Sequence, residues 1–111
     1  MKTLRCLSIL ALVSLAGTAS AAPAGDAAAG KAVYTKKCAS CHGEKGEGKE
    51  AIAKMMKVQM KALGSKEVQA KSDDELKKDT TQGFGKMKGA QGLSNKDVAD
   101  LIAYLRSLAQ K

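Results

Sequence analysis

The sequence predicts an all-α fold of about four helices, on three observations. Apolar residues recur at helical spacing in several separate stretches, capping residues stand ahead of those stretches, and no alternating or β-branched run points to a sheet. Glycine-rich connections separate the helices, with no internal repeat and no domain boundary.

The first two dozen residues read as an address and not as part of that fold. Lys2 and Arg5 supply a positive start, Leu7 to Leu15 a mostly apolar stretch, and Ala19-Ser20-Ala21 the small-x-small form that signal peptidases accept. Residues 1–21 are expected to be a signal peptide cleaved after Ala21, and residues 22–111 a single mature domain. The apolar run is too short, and too interrupted by Ser8 and Ser14, for a membrane span of about 20 residues. The expected destination is the bacterial periplasm, with no transmembrane segment after cleavage.

In the mature chain Asp26 is placed to cap a helix from Ala27 to about Lys37, with Gly30, Val33 and Tyr34 near one face. Gly43, Gly46 and Gly48 then break the pattern. Ala51 to Leu63 resumes it with Ile52, Met55, Met56 and Met60 at helical spacing, which predicts a second helix whose methionines belong to the core. Ser72 and Glu75 form a capping box ahead of a third helix around Leu76 to Thr81. A loop from Gly83 to Gly92 follows. Ser94 caps a last helix whose Val98, Leu101, Ile102, Leu105 and Leu108 make an apolar stripe.

Such a chain has little with which to fill an interior. It holds one Phe, two Tyr and no Trp, and domains this small commonly need a disulfide, a metal or a large cofactor as a staple. Cysteine usage narrows the choice. Cys6 leaves with the leader, so the mature chain keeps Cys38 and Cys41, followed at once by the only histidine, His42. On a helical turn these positions stand at i, i+3 and i+4, on one face. Attachment of c-type haem needs this arrangement: two thiols add to the porphyrin vinyl groups, and the adjacent imidazole reaches iron from the same side. A structural zinc site wants four Cys or His ligands, and only three are present. A thioredoxin-like pair belongs near a βαβ pattern, which is missing here. A plain disulfide beside an unconnected histidine is the remaining alternative. The expected cofactor is one covalently bound haem c, attached at Cys38 and Cys41, with His42 on its iron.

The loop from Gly83 to Gly92 holds Met87 among four glycines, which let backbone approach a ligand closely. A thioether is a soft, neutral ligand, and pairing it with histidine raises the haem reduction potential. Met87 is therefore expected as the second axial ligand. With both axial positions filled, oxygen and peroxide chemistry are disfavoured and electron exchange remains, so the chain is expected to be an electron carrier and not an enzyme. Two alternatives stand beside this: a haem subunit of a larger periplasmic oxidoreductase, and a sensor or peroxidase-like protein if the sixth position is open.

The full chain carries 19 basic and 11 acidic side chains, a net of +8. Removing the leader leaves 90 residues and a net of +6. Export excludes most nucleic-acid readings, and a basic monomer of this kind is expected to dock transiently on acidic patches of redox partner proteins, more weakly as salt rises. Lys86 and Lys88, beside Met87, are candidate docking charges.

From about Gly25 to Leu108 the chain resembles the class I cytochrome c family in its small bacterial form. Four matches carry the resemblance: Gly30-x-x-Val33-Tyr34, Cys38-Ala-Ser-Cys41-His42-Gly43, the Gly83-Phe-Gly-Lys-Met87 loop, and Leu93-Ser-x-x-Asp97. It implies helices packed around one covalently bound haem, with first and last helices crossing near a small residue and an aromatic one. Gly30, Tyr34 and Tyr104 match those packing positions. Two features depart from the family pattern. Lys88 and Gly89 follow Met87 where the family often has proline, and residues 44 to 63 lack the proline whose carbonyl usually accepts a hydrogen bond from the proximal histidine.

Overall fold

The structure, a computed structural model, describes residues 25–110. The expected leader and its cleavage site lie outside the described residues. Among the described residues the elements are α1 (Ala27–Lys37), α2 (Ala39–His42), α3 (Glu50–Met56), α4 (Lys66–Gln69), α5 (Asp73–Gln82), a hairpin of β1 (Gly83–Phe84) and β2 (Met87–Lys88), and α6 (Asn95–Ser107). The architecture is all-α apart from that hairpin.

Local chemistry explains the helix starts. The Asp26 carboxylate accepts from the Ala28 amide at 2.9 Å, opening α1. Full capping boxes open α5 and α6: Ser72 and Glu75 exchange bonds in the first, Ser94 and Asp97 in the second. Each box satisfies two amides that have no partner inside the helix.

Packing begins where α1 crosses α6. A Cβ on Gly30 would collide with the Asp100 carbonyl, so the two backbones meet as closely as only glycine allows. One turn further along, Tyr34 and Tyr104 pair with ring centroids 5.1 Å apart and planes tilted by 54°, a favourable aromatic geometry. Tyr34, Leu76, Val98, Leu101, Ile102, Tyr104 and Leu105 form the buried cluster, with Cys38, Leu63, Val68 and Leu93 packed at its edge. Most of it comes from the α6 stripe. Buried Asp100 ties the crossing together, accepting from the Asp26 amide at 2.8 Å and from Lys96 Nζ at 2.6 Å.

Arg106 anchors the middle of the chain to α6. Its guanidinium donates to the Gln69 carbonyl at 2.8 Å, the Lys71 carbonyl at 2.7 Å and Asp73 Oδ1 at 2.8 Å. That fork fixes the α4–α5 connection, and with it the start of α5.

The structure corrects three expectations. The helix expected over Ala51 to Leu63 ends at Met56, because Lys57 turns into the left-handed region (φ 55°, ψ 46°) and Val58 bonds back to Ala53. The turn also breaks the expected methionine stripe: Met55 is 71% exposed, and neither Met56 nor Met60 joins the buried cluster. A short helix, α4, opened by Ser65 accepting from the Val68 amide, lies where the sequence pattern assigns no element. The Gly83–Gly92 loop contains an antiparallel hairpin pairing Gly83 with Lys88 and Phe84 with Met87, and two residues per strand are too few for alternation to register in a sequence.

Candidate functional site

The Cys-x-x-Cys-His segment sits at the junction of α1 and α2. Cys38 ends α1, its amide bonding to the Tyr34 carbonyl, and α2 then carries Cys41 and His42 through a single turn. Cys38 packs against the core while Cys41 is exposed. Neither sulfur is in a disulfide among the described residues. Burial, and then the neighbouring Cys41, push the Cys38 thiol up to about 11, so it is a thiol and not a thiolate at neutral pH.

The loop that follows folds back over this turn. Gly48 N donates to the His42 carbonyl at 2.7 Å and Lys49 N to the Cys41 carbonyl at 3.1 Å, satisfying the end of α2. Tyr34 reaches in from α1, its hydroxyl donating to the Gly43 carbonyl at 2.5 Å. Sequence reading identified Tyr34 as a packing residue only. Its hydroxyl also pins the residue after His42, a contact that no local pattern signals.

His42 is held in an unusual state for a structural residue. Burial lowers its pKa, so the imidazole is neutral at pH 7. Its Nδ1 is buried without a hydrogen-bond partner among the described residues; the missing proline carbonyl is not replaced by another acceptor. Left uncompensated, such a nitrogen costs about 1–3 kcal/mol. A neutral imidazole is the form that binds a metal, so the residue suits a ligand better than a packing role.

Met87 lies opposite Phe84 in the hairpin, so the two side chains share one face. Both are conspicuous on the surface, Phe84 62% and Met87 39% exposed. Between the strands, φ is positive at Gly85 and not at Lys86, the sign pattern of a II′ turn with glycine first. The hairpin tip meets α3, where Lys86 Nζ donates to the Met56 carbonyl at 2.9 Å. One end of α3 thus follows the loop over Cys41 and His42, and the other touches the hairpin carrying Met87. Lys86, a candidate docking charge, makes that contact while remaining exposed.

Two thiols and a neutral imidazole on one short turn are the donor set for attachment of c-type haem, and the exposed Phe84 and Met87 present apolar surface on the hairpin. No helix among the described residues is long and apolar enough to cross a membrane.

Comparison with known proteins agrees. The family model described as Cytochrome c matches residues 27–109. Cytochrome c-554(547) of Halothiobacillus neapolitanus is 38% identical over 93 residues, covering 77% of this chain and 99% of that protein. The solved structure of KustC0563, a c-type cytochrome, matches with a TM-score of 0.62 at 21% identity, covering 73% of this chain and 98% of its own, a likeness of fold. The chain belongs to the cytochrome c family, whose members bind covalently attached haem c and transfer electrons through it.

Proposed function

We propose that this chain is an exported carrier of single electrons in the bacterial periplasm, attaching haem at Cys38 and Cys41 and ligating its iron with His42 and Met87. The observation that carries the reading is the turn of α2, where an imidazole kept neutral by burial directly follows two unpaired cysteines. Bound there, haem c supplies a one-electron iron couple.

The chain's own residues do the rest. Cys38 and Cys41 would hold the cofactor through thioether bonds, which prevents its loss during repeated docking and release. His42 is kept neutral by burial and so presents a lone pair and not a proton at neutral pH. Met87 would add a soft ligand that favours the reduced state and would leave no coordination position for oxygen or peroxide. Tyr34 and the returning loop hold the backbone on either side of His42, limiting how much the site must rearrange with each electron. The basic surface favours brief encounters with acidic patches on redox partners, and the chain is read as a monomer.

The test is an optical spectrum of protein matured in a host able to attach haem, recorded oxidised and reduced, with and without carbon monoxide. A low-spin reduced spectrum that carbon monoxide changes only slowly is expected, with a weak methionine-ligand band in the oxidised protein that Met87→Ala abolishes. Ready binding of carbon monoxide by the unaltered protein would favour a sensor or peroxidase-like protein. Failure to attach haem covalently would refute the assignment of Cys38 and Cys41.

A further inference from the structure

Met87 lacks the following proline that stiffens the corresponding loop in many relatives of this family, and the hairpin that carries it has only two residues in each strand. Backbone pairing of that length is weak on its own. Two lysines brace it through separate contacts. Lys71, in the connection ahead of α5, places its ammonium 3.9 Å from the centre of the Phe84 ring and 2.6 Å from Asp79 Oδ2. Lys71 and Asp79 are both largely covered, with side chains 31% and 24% exposed. The cation therefore sits between a carboxylate on α5 and the face of the residue paired with Met87. The Lys71 backbone is itself fixed, its carbonyl accepting from Arg106 at 2.7 Å. Lys86, at the turn, donates to the Met56 carbonyl at the end of α3, where a helix presents unsatisfied carbonyls and the negative end of its dipole.

We propose that Lys71, held by Asp79 and Arg106, and Lys86, held by the end of α3, are positioning residues that keep Met87 directed at the haem iron. The proposal rests on the reading of Met87 as an axial ligand. The two contacts act on different strands: Lys71 on Phe84 of β1, and Lys86 at the turn leading directly into Met87. A cation over an aromatic face and a charge-assisted hydrogen bond each shift a local opening equilibrium by about three- to tenfold. Because they engage separate partners, their effects multiply.

The experiment uses the haem-loaded protein and two readouts: the oxidised methionine-ligand band, and the rate of carbon monoxide uptake by the reduced protein, which requires the sixth ligand to leave. Lys71→Ala and Lys86→Ala are each expected to speed uptake by about three- to tenfold and to weaken the band, and the double variant by about ten- to a hundredfold. Lys71→Arg and Lys86→Arg, which keep a cation with donors at each place, are expected to restore the unaltered behaviour. Lys36→Ala, which removes a charge from the exposed face of α1, is the control expected to change neither readout. If Lys71→Ala does not fold, Asp79→Asn tests the same brace by loosening the lysine. Uptake at the unaltered rate in both lysine variants, with Met87→Ala still abolishing the band, would overturn the positioning role alone. A band that survives Met87→Ala would overturn the ligand assignment and the positioning role with it.

Discussion

Replacing Tyr34 with phenylalanine removes one oxygen from the centre of the molecule and leaves the ring in place. Tyr34 is 1% exposed, and its hydroxyl donates to the buried Gly43 carbonyl at 2.5 Å. That carbonyl keeps a second, longer bond from the Gly46 amide at 3.3 Å, so the substitution does not orphan it. The cost is then near that of a single buried hydrogen bond, about 1–1.5 kcal/mol. The aromatic contact with Tyr104 survives and contributes nothing to the difference. For a domain of this size 1 kcal/mol corresponds to about 4–8 °C in melting temperature, so Tyr34→Phe should melt about 4–12 °C below the unaltered protein at pH 7. Thermal melting of the haem-loaded protein, followed by far-ultraviolet circular dichroism, measures it. The difference should also depend on pH. Burial holds the Tyr34 pKa well above its ordinary 10.0, and a raised folded-state pKa gives stability that is whole below the unfolded value and is lost as pH rises through the folded one. Phenylalanine does not titrate, so the gap should narrow above pH 10. A variant melting within about 2 °C of the unaltered protein at pH 7 would show that the hydroxyl does not support the residues around His42.

Gly30→Ala sets helix propensity against packing: propensity alone favours alanine by about 1 kcal/mol, but the new Cβ would strike the Asp100 carbonyl. A net loss of about 1–3 kcal/mol in denaturant titration is expected, and a gain would refute the close crossing of α1 and α6. Asp100→Asn should destabilise the protein at neutral pH and flatten its acid response. Asp100 is held below the ordinary carboxylate range first by Lys96 and then by the Asp26 amide, so its contribution is present above the unfolded pKa of 3.8 and is lost as pH falls through the lower folded value. Equal acid sensitivity in melts of both proteins between pH 5 and pH 2 would exclude that role. Arg106→Lys keeps the charge but cannot span the Gln69 and Lys71 carbonyls together with Asp73; a loss of about 1–3 kcal/mol in the same titration is expected, and a neutral result would mean the fork is replaceable by a point charge.

Much of this protein is local, and local features are legible in a sequence. Asp26, Ser72 with Glu75, and Ser94 announce helix starts because a capping residue bonds amides within three positions of itself. The α6 stripe is visible because 3.6-residue periodicity puts Val98, Leu101, Ile102 and Leu105 on one face. Cys38, Cys41 and His42 are legible for the same reason: the chemistry they share requires spacing of three and four residues.

Where contacts join distant residues, only the tertiary structure decides. The Ala51–Leu63 pattern predicts one long helix, yet the chain turns at Lys57 into a conformation that propensity disfavours for a side chain other than glycine. Nothing near Lys71 in the chain indicates that it would lie over Phe84, or that Arg106 would hold its backbone from 35 residues away. Lys86 reads as a solvated charge until α3 ends beside it. By itself the sequence determined the starts of α1, α5 and α6 and the spacing of Cys38, Cys41 and His42, because those depend on neighbours along the chain. How closely α1 approaches α6, what supports His42 through Gly43, and what braces the hairpin of Met87 were decided by packing, which brings together residues 9 to 74 positions apart.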